Sequence, residues 1–295
     1  MHVWHPPIVC RSWTRQWCII SEPGRGVPAR GDPLMVVAAP IAMVVGLMLV
    51  WLAAVRLATR DSALSAAAGV CVGVIAGWFG VTHVTTLSLR LIPWDDYVYF
   101  ERIPLFLAIV MLLGLCVERV RPRLRLPVSV ILVIFVVYTL MEVSGPLALE
   151  VQAGKLSDEV DGPAEVYQST GWSCGPAATA WALRLRGIPA TERECARLSA
   201  TTPLHGTTTR GTLRAIHAHG LDAEVTTRAP WERLISVPKP ALTDTYIGAA
   251  TAHIVVLRDA DDRSVTVGDP LYGEQTFPRE DFEKVWMRTV IEIDD

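Results

Sequence analysis

The stretch Gln168-Ser169-Thr170-Gly171-Trp172-Ser173-Cys174-Gly175-Pro176-Ala177-Ala178-Thr179-Ala180 reads as a polar loop running into a helix. Proline favours a first helical turn and glycine a left-handed end, so Pro176 and Gly187 predict a helix over Pro176–Arg186. Cys174 then sits at the amino-terminal end of that helix. There the helix dipole and free backbone N–H groups stabilise an anion, which favours the reactive thiolate. A lone cysteine in this position is ordinarily better read as a small buried core residue. The choice between the two rests on what the rest of the chain offers.

It offers a histidine and a carboxylate. His253 opens an apolar run, Ile254-Val255-Val256-Leu257, that reads as a strand. Ser264-Val265-Thr266-Val267-Gly268 reads as its partner and leads into Asp269-Pro270, with the polar turn Arg258–Arg263 between them. A hairpin centred on Asp261 sets His253 directly across from Asp269. Opposed residues have Cβ atoms roughly 5 Å apart, within reach of a carboxylate–imidazole hydrogen bond. Such a bond fixes the imidazole tautomer and stabilises the imidazolium. Acyl transfer through a thiolate also needs a donor for the charge on the substrate carbonyl oxygen. Gln168, six residues before Cys174, is placed for that role.

Together, Gln168-x5-Cys174-Gly175-Pro176, then His253, then Asp269-Pro270 resemble the C39 peptidases and their C39-like relatives. The resemblance covers about residues 160–290. The segment Gly206-Thr207-Thr208-Thr209-Arg210-Gly211 and the helix after it, ending in His219-Gly220-Leu221, share in it. It implies an α+β papain-like cysteine peptidase domain. In that family's terms Cys174 is the nucleophile, His253 the base and then the acid, Asp269 the orienter and Gln168 the oxyanion donor. No cofactor and no metal is needed by this chemistry. The best-known members stand ahead of a peptide exporter and cut leader peptides after a double glycine in the cytosol. Here the domain follows an apolar region, and neither a phosphate-binding loop nor an ATPase portion is expected in this chain. Double-glycine specificity therefore does not transfer.

The apolar region explains the composition. Of 295 residues, 51% are hydrophobic and 19% charged, against about 25% charged in an average soluble chain. That excludes disorder, and a net charge of −3 excludes a nucleic-acid binder relying on bulk basicity. Residues 1–150 carry 12 basic and 9 acidic side chains, and residues 151–295 carry 15 and 21. The two halves meet near Ser144-Gly145-Pro146. Residues 1–33 read as a poorly ordered tail, 34–149 as an α-helical transmembrane segment of about four helices, and 160–295 as the peptidase domain. The spans are Leu34–Val55, Ser62–Leu89, Ile103–Val117 and Leu126–Met141, the last two shorter than the usual minimum of about 17 residues. A buried helix pair is the alternative for those two, which leaves two spans. Trp94, Tyr97, Tyr99 and Phe100 read as an interfacial aromatic belt.

Orientation follows the arginines. Arg56, Arg60, Arg119, Arg121, Arg123 and Arg125 flank two loops, and only Arg90 and Arg102 flank the loop between the second and third spans. The arginine-rich loops belong in the cytoplasm, which leaves the carboxy-terminal domain extracytoplasmic on a multi-pass protein of the cell membrane. The partners expected are a lipid bilayer and a peptide or protein substrate. Three activities fit the residues: peptide-bond hydrolysis, acyl or amide transfer by the same triad, or peptide sensing without turnover. Other polar residues read as structural. Thr191-x-x-Glu194 is a helix-capping box, His217 and His219 point to different helix faces, and His205 is a loop residue. Cys195 is a possible disulfide partner for Cys174 in an oxidising compartment.

Overall fold

A computed structural model describes residues 91–119, 121–159, 164–248 and 251–294, with isolated helical positions between 41 and 89. The expected spans 34–55 and 62–89 and the tail 1–33 otherwise lie outside the described residues. The first helices with described bounds are α1 (Ile103–Arg119) and α2 (Pro122–Val143). Both outrun their expected lengths. In α2 the helix starts at Pro122, whose missing N–H costs nothing in a first turn, and takes in Arg123 and Arg125. Its 22 residues span about 33 Å at about 1.5 Å each. The two helices pack antiparallel, with Phe106 edge-on to Phe135 and Tyr138 and Val110 against Leu132. Much of the outer surface of α2 is bare hydrocarbon: Leu126, Ile131, Val133, Ile134 and Met141 are exposed. By length and composition, Asp95–Leu115, which takes in most of α1, and Pro122–Val143 are able to cross a membrane.

At Ser144 the chain turns directly into α3 (Gly145–Gln152). Leu149 and Leu156 pack on Ala196 and Trp172, and Arg197 holds Glu150 through two bonds of 2.9 and 3.0 Å. Residues 145–157 thus lie against the carboxy-terminal domain. That domain continues with α4 (Cys174–Leu185), α5 (Glu192–Leu198) and α6 (Thr209–Ala218). Then follow β1 (Asp222–Thr227), α7 (Trp231–Ser236), β2 (Ala241–Ile247), β3 (Thr251–Ala260), β4 (Ser264–Asp269), β5 (Gly273–Pro278), α8 (Arg279–Val285) and β6 (Trp286–Asp294). The strands form one antiparallel sheet in the order β1-β6-β2-β3-β4-β5.

Side chains alternate across a strand, and here each face has its own core. Leu242, Ile254, Val256, Ile291 and Ile293 face α4 and pack with Trp181, Leu183 and Ile216. Val255, Leu257, Val265, Val267 and Val290 face the other way, onto Trp231 of α7 and Phe282 of α8. Helix α4 begins two residues before the expected start and ends at Leu185, with Gly187 left-handed at φ 79° as its stop. Trp181, fully buried on α4, lies so close to Gly268 that a Cβ there would meet its ring at 2.7 Å. The contact clamps the cysteine-bearing helix onto the end of the strand that carries Asp269.

Candidate active site

Cys174 is the first residue of α4, so its own N–H and that of Gly175 have no partner within the helix. Gly175 is required by a close approach, because a Cβ would stand 2.7 Å from the Thr207 side chain. His253, on β3, is nearly buried, and its Nε2 lies 2.8 Å from Asp269 Oδ1 at the end of β4. Cys174 and His253 line one cleft of about 340 Å³. The structure thus brings Cys174, His253 and Asp269 together.

The histidine–aspartate pair forms in a register different from the one expected. Val256 pairs with Gly268 and Leu257 with Val267, and a bulge follows before Asp259. This is two residues from direct opposition of His253 and Asp269. A shift of two keeps both side chains on the same face, whereas a shift of one would have separated them. The turn accounts for part of the offset: Asp261 Oδ1 accepts the N–H groups of Arg263 and Ser264 at 2.7 Å each.

Burial alone would lower the affinity of His253 for a proton. The hydrogen bonds and negative charges of Asp269 and Cys174 outweigh it, and hold the ring up at about 9. Burial would raise Asp269, but the His253 bond and the N–H groups of Leu271 and Tyr272 bring it below the ordinary carboxylate value. The folded protein therefore keeps an imidazolium that the unfolded chain loses near 6.5. The stabilisation is whole below pH 6.5 and is lost as pH rises through about 9. In a carbon-labelled histidine titration we expect the His253 ring to show a midpoint near 9; a midpoint at or below 6.5 would contradict the pairing.

Gln168 is tied to the same corner, its backbone N–H donating to Pro270 O at 2.9 Å. Its side chain does not line the cleft; Nε2 donates to Thr170 O at 2.7 Å and has a second hydrogen to give. The loop around it is ordered by Glu192, a fully buried carboxylate that accepts from the N–H of Ser169 at 2.8 Å and of Ser157 at 2.9 Å. Sequence reasoning passed over Glu192 because the capping pattern pointed to its neighbour. Thr191 does cap the Glu194 N–H, at 3.0 Å. Cys195 is a free thiol packed in the core behind α4, and burial pushes its proton affinity up.

The other surprise is one wall of the cleft. Ser88, Leu89 and Glu101 line the cleft together with Cys174 and His253. They are held by Arg210, which was seen in the sequence only as part of a familiar-looking segment. Its guanidinium donates to the carbonyls of Ile92 at 2.7 Å, Trp94 at 3.2 Å and Ser88 at 3.0 Å. Arg214 bonds Asp96 at 2.8 Å, and His217 Nδ1 lies 2.7 Å from Asp95. Tyr97 and Tyr99, expected at a lipid interface, instead lie under Arg210 and Arg214 at 5.4 and 5.3 Å. His205 and Arg102 both pair with Glu142 at the end of α2.

Residues 164–295 match the model of the peptidase C39 family. An uncharacterised protein of Methanothermobacter thermautotrophicus is 35% identical over 144 residues, 49% of this chain and 94% of that protein. Another, of Methanothermobacter marburgensis, is 32% identical over 47% of this chain and 91% of its own length. Among solved structures, the peptidase domain of Streptococcus ComA, a bifunctional ABC transporter of a quorum-sensing pathway, is 22% identical. It matches with a TM-score of 0.41 over 44% of this chain and 96% of that domain. A double-glycine-motif protease from an AMS/PCAT transporter, solved with its leader peptide, is also 22% identical. Its TM-score is 0.39 over 46% of this chain and 92% of its own.

Proposed function

The chain belongs to the peptidase C39 family through its carboxy-terminal domain, and from that premise we propose that it is a membrane-anchored cysteine peptidase acting through Cys174, His253 and Asp269. The observation that carries the reading is His253, bonded to Asp269 at 2.8 Å and interacting with Cys174 at the start of α4. With Nε2 engaged by Asp269, Nδ1 is the ring nitrogen that carries the proton beside the Cys174 sulfur, the two forming a thiolate–imidazolium pair. The Cys174 sulfur then attacks the peptide carbonyl carbon. The Cys174 N–H meets the charge on the carbonyl oxygen, and the Gln168 amide joins it as a second donor only by turning from Thr170 O towards the cleft. Collapse expels the amine, which leaves with the proton from His253. Water, deprotonated by the same ring, attacks the thioester and releases the acid and the thiol. One water is consumed per bond.

The hairpin of α1 and α2 supports a membrane anchor whose two near ends lie at the peptidase domain. Arg119 ends α1, and Arg121, Arg123 and Arg125 stand at the start of α2, away from those near ends. Arginines concentrated there favour cytoplasmic placement of that end and an extracytoplasmic peptidase domain.

One labelling experiment tests both parts. A membrane-impermeant, thiol-directed peptidase probe applied to intact cells should modify Cys174, with the adduct mapped by mass spectrometry. Peptides incubated with the purified chain should yield fragments that together have gained one water. An adduct that forms only after permeabilisation reverses the orientation and keeps the chemistry. No adduct at Cys174 in either case rejects the peptidase, and products carrying an amine acceptor in place of water point to amide transfer.

A further inference from the structure

The cleft beside Cys174 contains a carboxylate for which the hydrolysis above has no use. Asp244 lies on β2, directly across from Ile254, the neighbour of His253. It lines the same cleft as Cys174. Among the described residues it forms no ion pair, and its side chain is held by a hydrogen bond with Thr289. Removal from water raises Asp244 to about 6, with Thr289 and the charge of His253 acting the other way. At neutral pH it is a poorly solvated anion, and a bound cation would relieve it.

Its surroundings narrow the cation. Ala252, Ile254, Met287 and Ile291 line the cleft with it and are apolar, while Thr207, Thr208, Thr209 and Thr212 add uncharged hydroxyls. The single guanidinium among the lining residues, Arg210, is taken up by the carbonyls of Ser88, Ile92 and Trp94, with Glu101 close enough to offset its charge. An apolar wall ending in one carboxylate matches a side chain with an aliphatic stem and a charged head. A bare metal ion would want several oxygen ligands, and among the described residues no group of three His, Cys, Asp or Glu side chains is placed to hold one.

Resting on the peptidase reading, we propose that this cleft selects substrates with a lysine or arginine close to the scissile bond, the head binding Asp244 and the stem lying on Ile254, Met287 and Ile291. The subsite is tested by binding, so that it stands or falls apart from turnover. The full chain carrying Cys174→Ala is titrated with fluorescent peptides that differ only in lysine against norleucine, scanned through each position. Lysine should bind about tenfold tighter at one position, as expected for a charge-assisted contact. Adding Asp244→Asn, which is nearly isosteric, should bring the ratio towards one. Asp244→Lys should turn the preference to glutamate over norleucine. Equal binding at every position, no measurable binding of either series, or a lysine preference that survives Asp244→Asn overturns the subsite. A chain that binds the lysine peptide through Asp244 but never cleaves it in the Cys174 form keeps the subsite and loses the peptidase.

Discussion

Cys174→Ala should bring peptide hydrolysis down to the uncatalysed rate, a loss of roughly four to six orders of magnitude. The expectation rests on what the other groups are left able to do. His253 and Asp269 keep their bond and their burial without the sulfur, but no covalent intermediate forms. No other described thiol can substitute: Cys71 and Cys195 are both buried, and burial opposes the ionisation of Cys195. The substitution is mild for the fold. Alanine is the best helix former, and Cys174 only partly contacts the core, so a stability change of about 1 kcal/mol or less is expected. His253→Ala should lose nearly as much rate, and the double variant little more than either, because the groups act as one unit. Turnover by progress curves, alongside thermal unfolding, reads both quantities. Hydrolysis above one per cent of the parent rate in Cys174→Ala would move the nucleophile elsewhere.

The same residues show how much of the molecule can be read without coordinates. The helix behind Cys174 was legible because its signals are local: a proline in the first turn and a glycine at the stop, Gly187, which takes φ 79°. The pairing of His253 with Asp269 was legible for a subtler reason. The expected register is two residues off, since the Leu257–Asp259 bulge and the Asp261 side chain reshape the turn. Side-chain parity survives an even shift, so the contact survived too. What was not legible joins distant segments. The wall of the cleft comes from residues 88–101, over 100 positions before α6, and nothing local in Tyr97 or Asp96 distinguishes a membrane-surface loop from one docked on a domain. Asp244 was equally hidden, because an acidic residue in an amphipathic strand reads as solvent-facing until the neighbouring strands and α4 are in place.

Arg210→Met should be the most damaging substitution outside the reactive residues. Arg210 is 3% exposed and its guanidinium serves the carbonyls of Ser88, Ile92 and Trp94. Methionine fills much of the volume but donates nothing, so buried acceptors lose their partners. Stranded buried groups of this kind cost about 1–3 kcal/mol, and loss of the charged centre brings the expected total to about 3–5 kcal/mol. The loss should fall first on the segment 88–101, whose other ties, Arg214 with Asp96 and His217 with Asp95, are partly exposed. Hydrogen exchange should therefore quicken in 88–101 before it quickens in β3 or β4. Because that segment supplies one wall of the cleft and no reacting group, the kinetic signature should be a raised KM with a smaller fall in kcat. Arg210→Lys should recover only part of the loss, since one ammonium cannot span three carbonyls held by a planar fork. Unchanged exchange of 88–101 in Arg210→Met would assign the docking to Arg214 and His217 instead. A fall in kcat with KM unmoved would mean that α6 acts on Cys174 through Thr207 and Gly175 rather than through the wall.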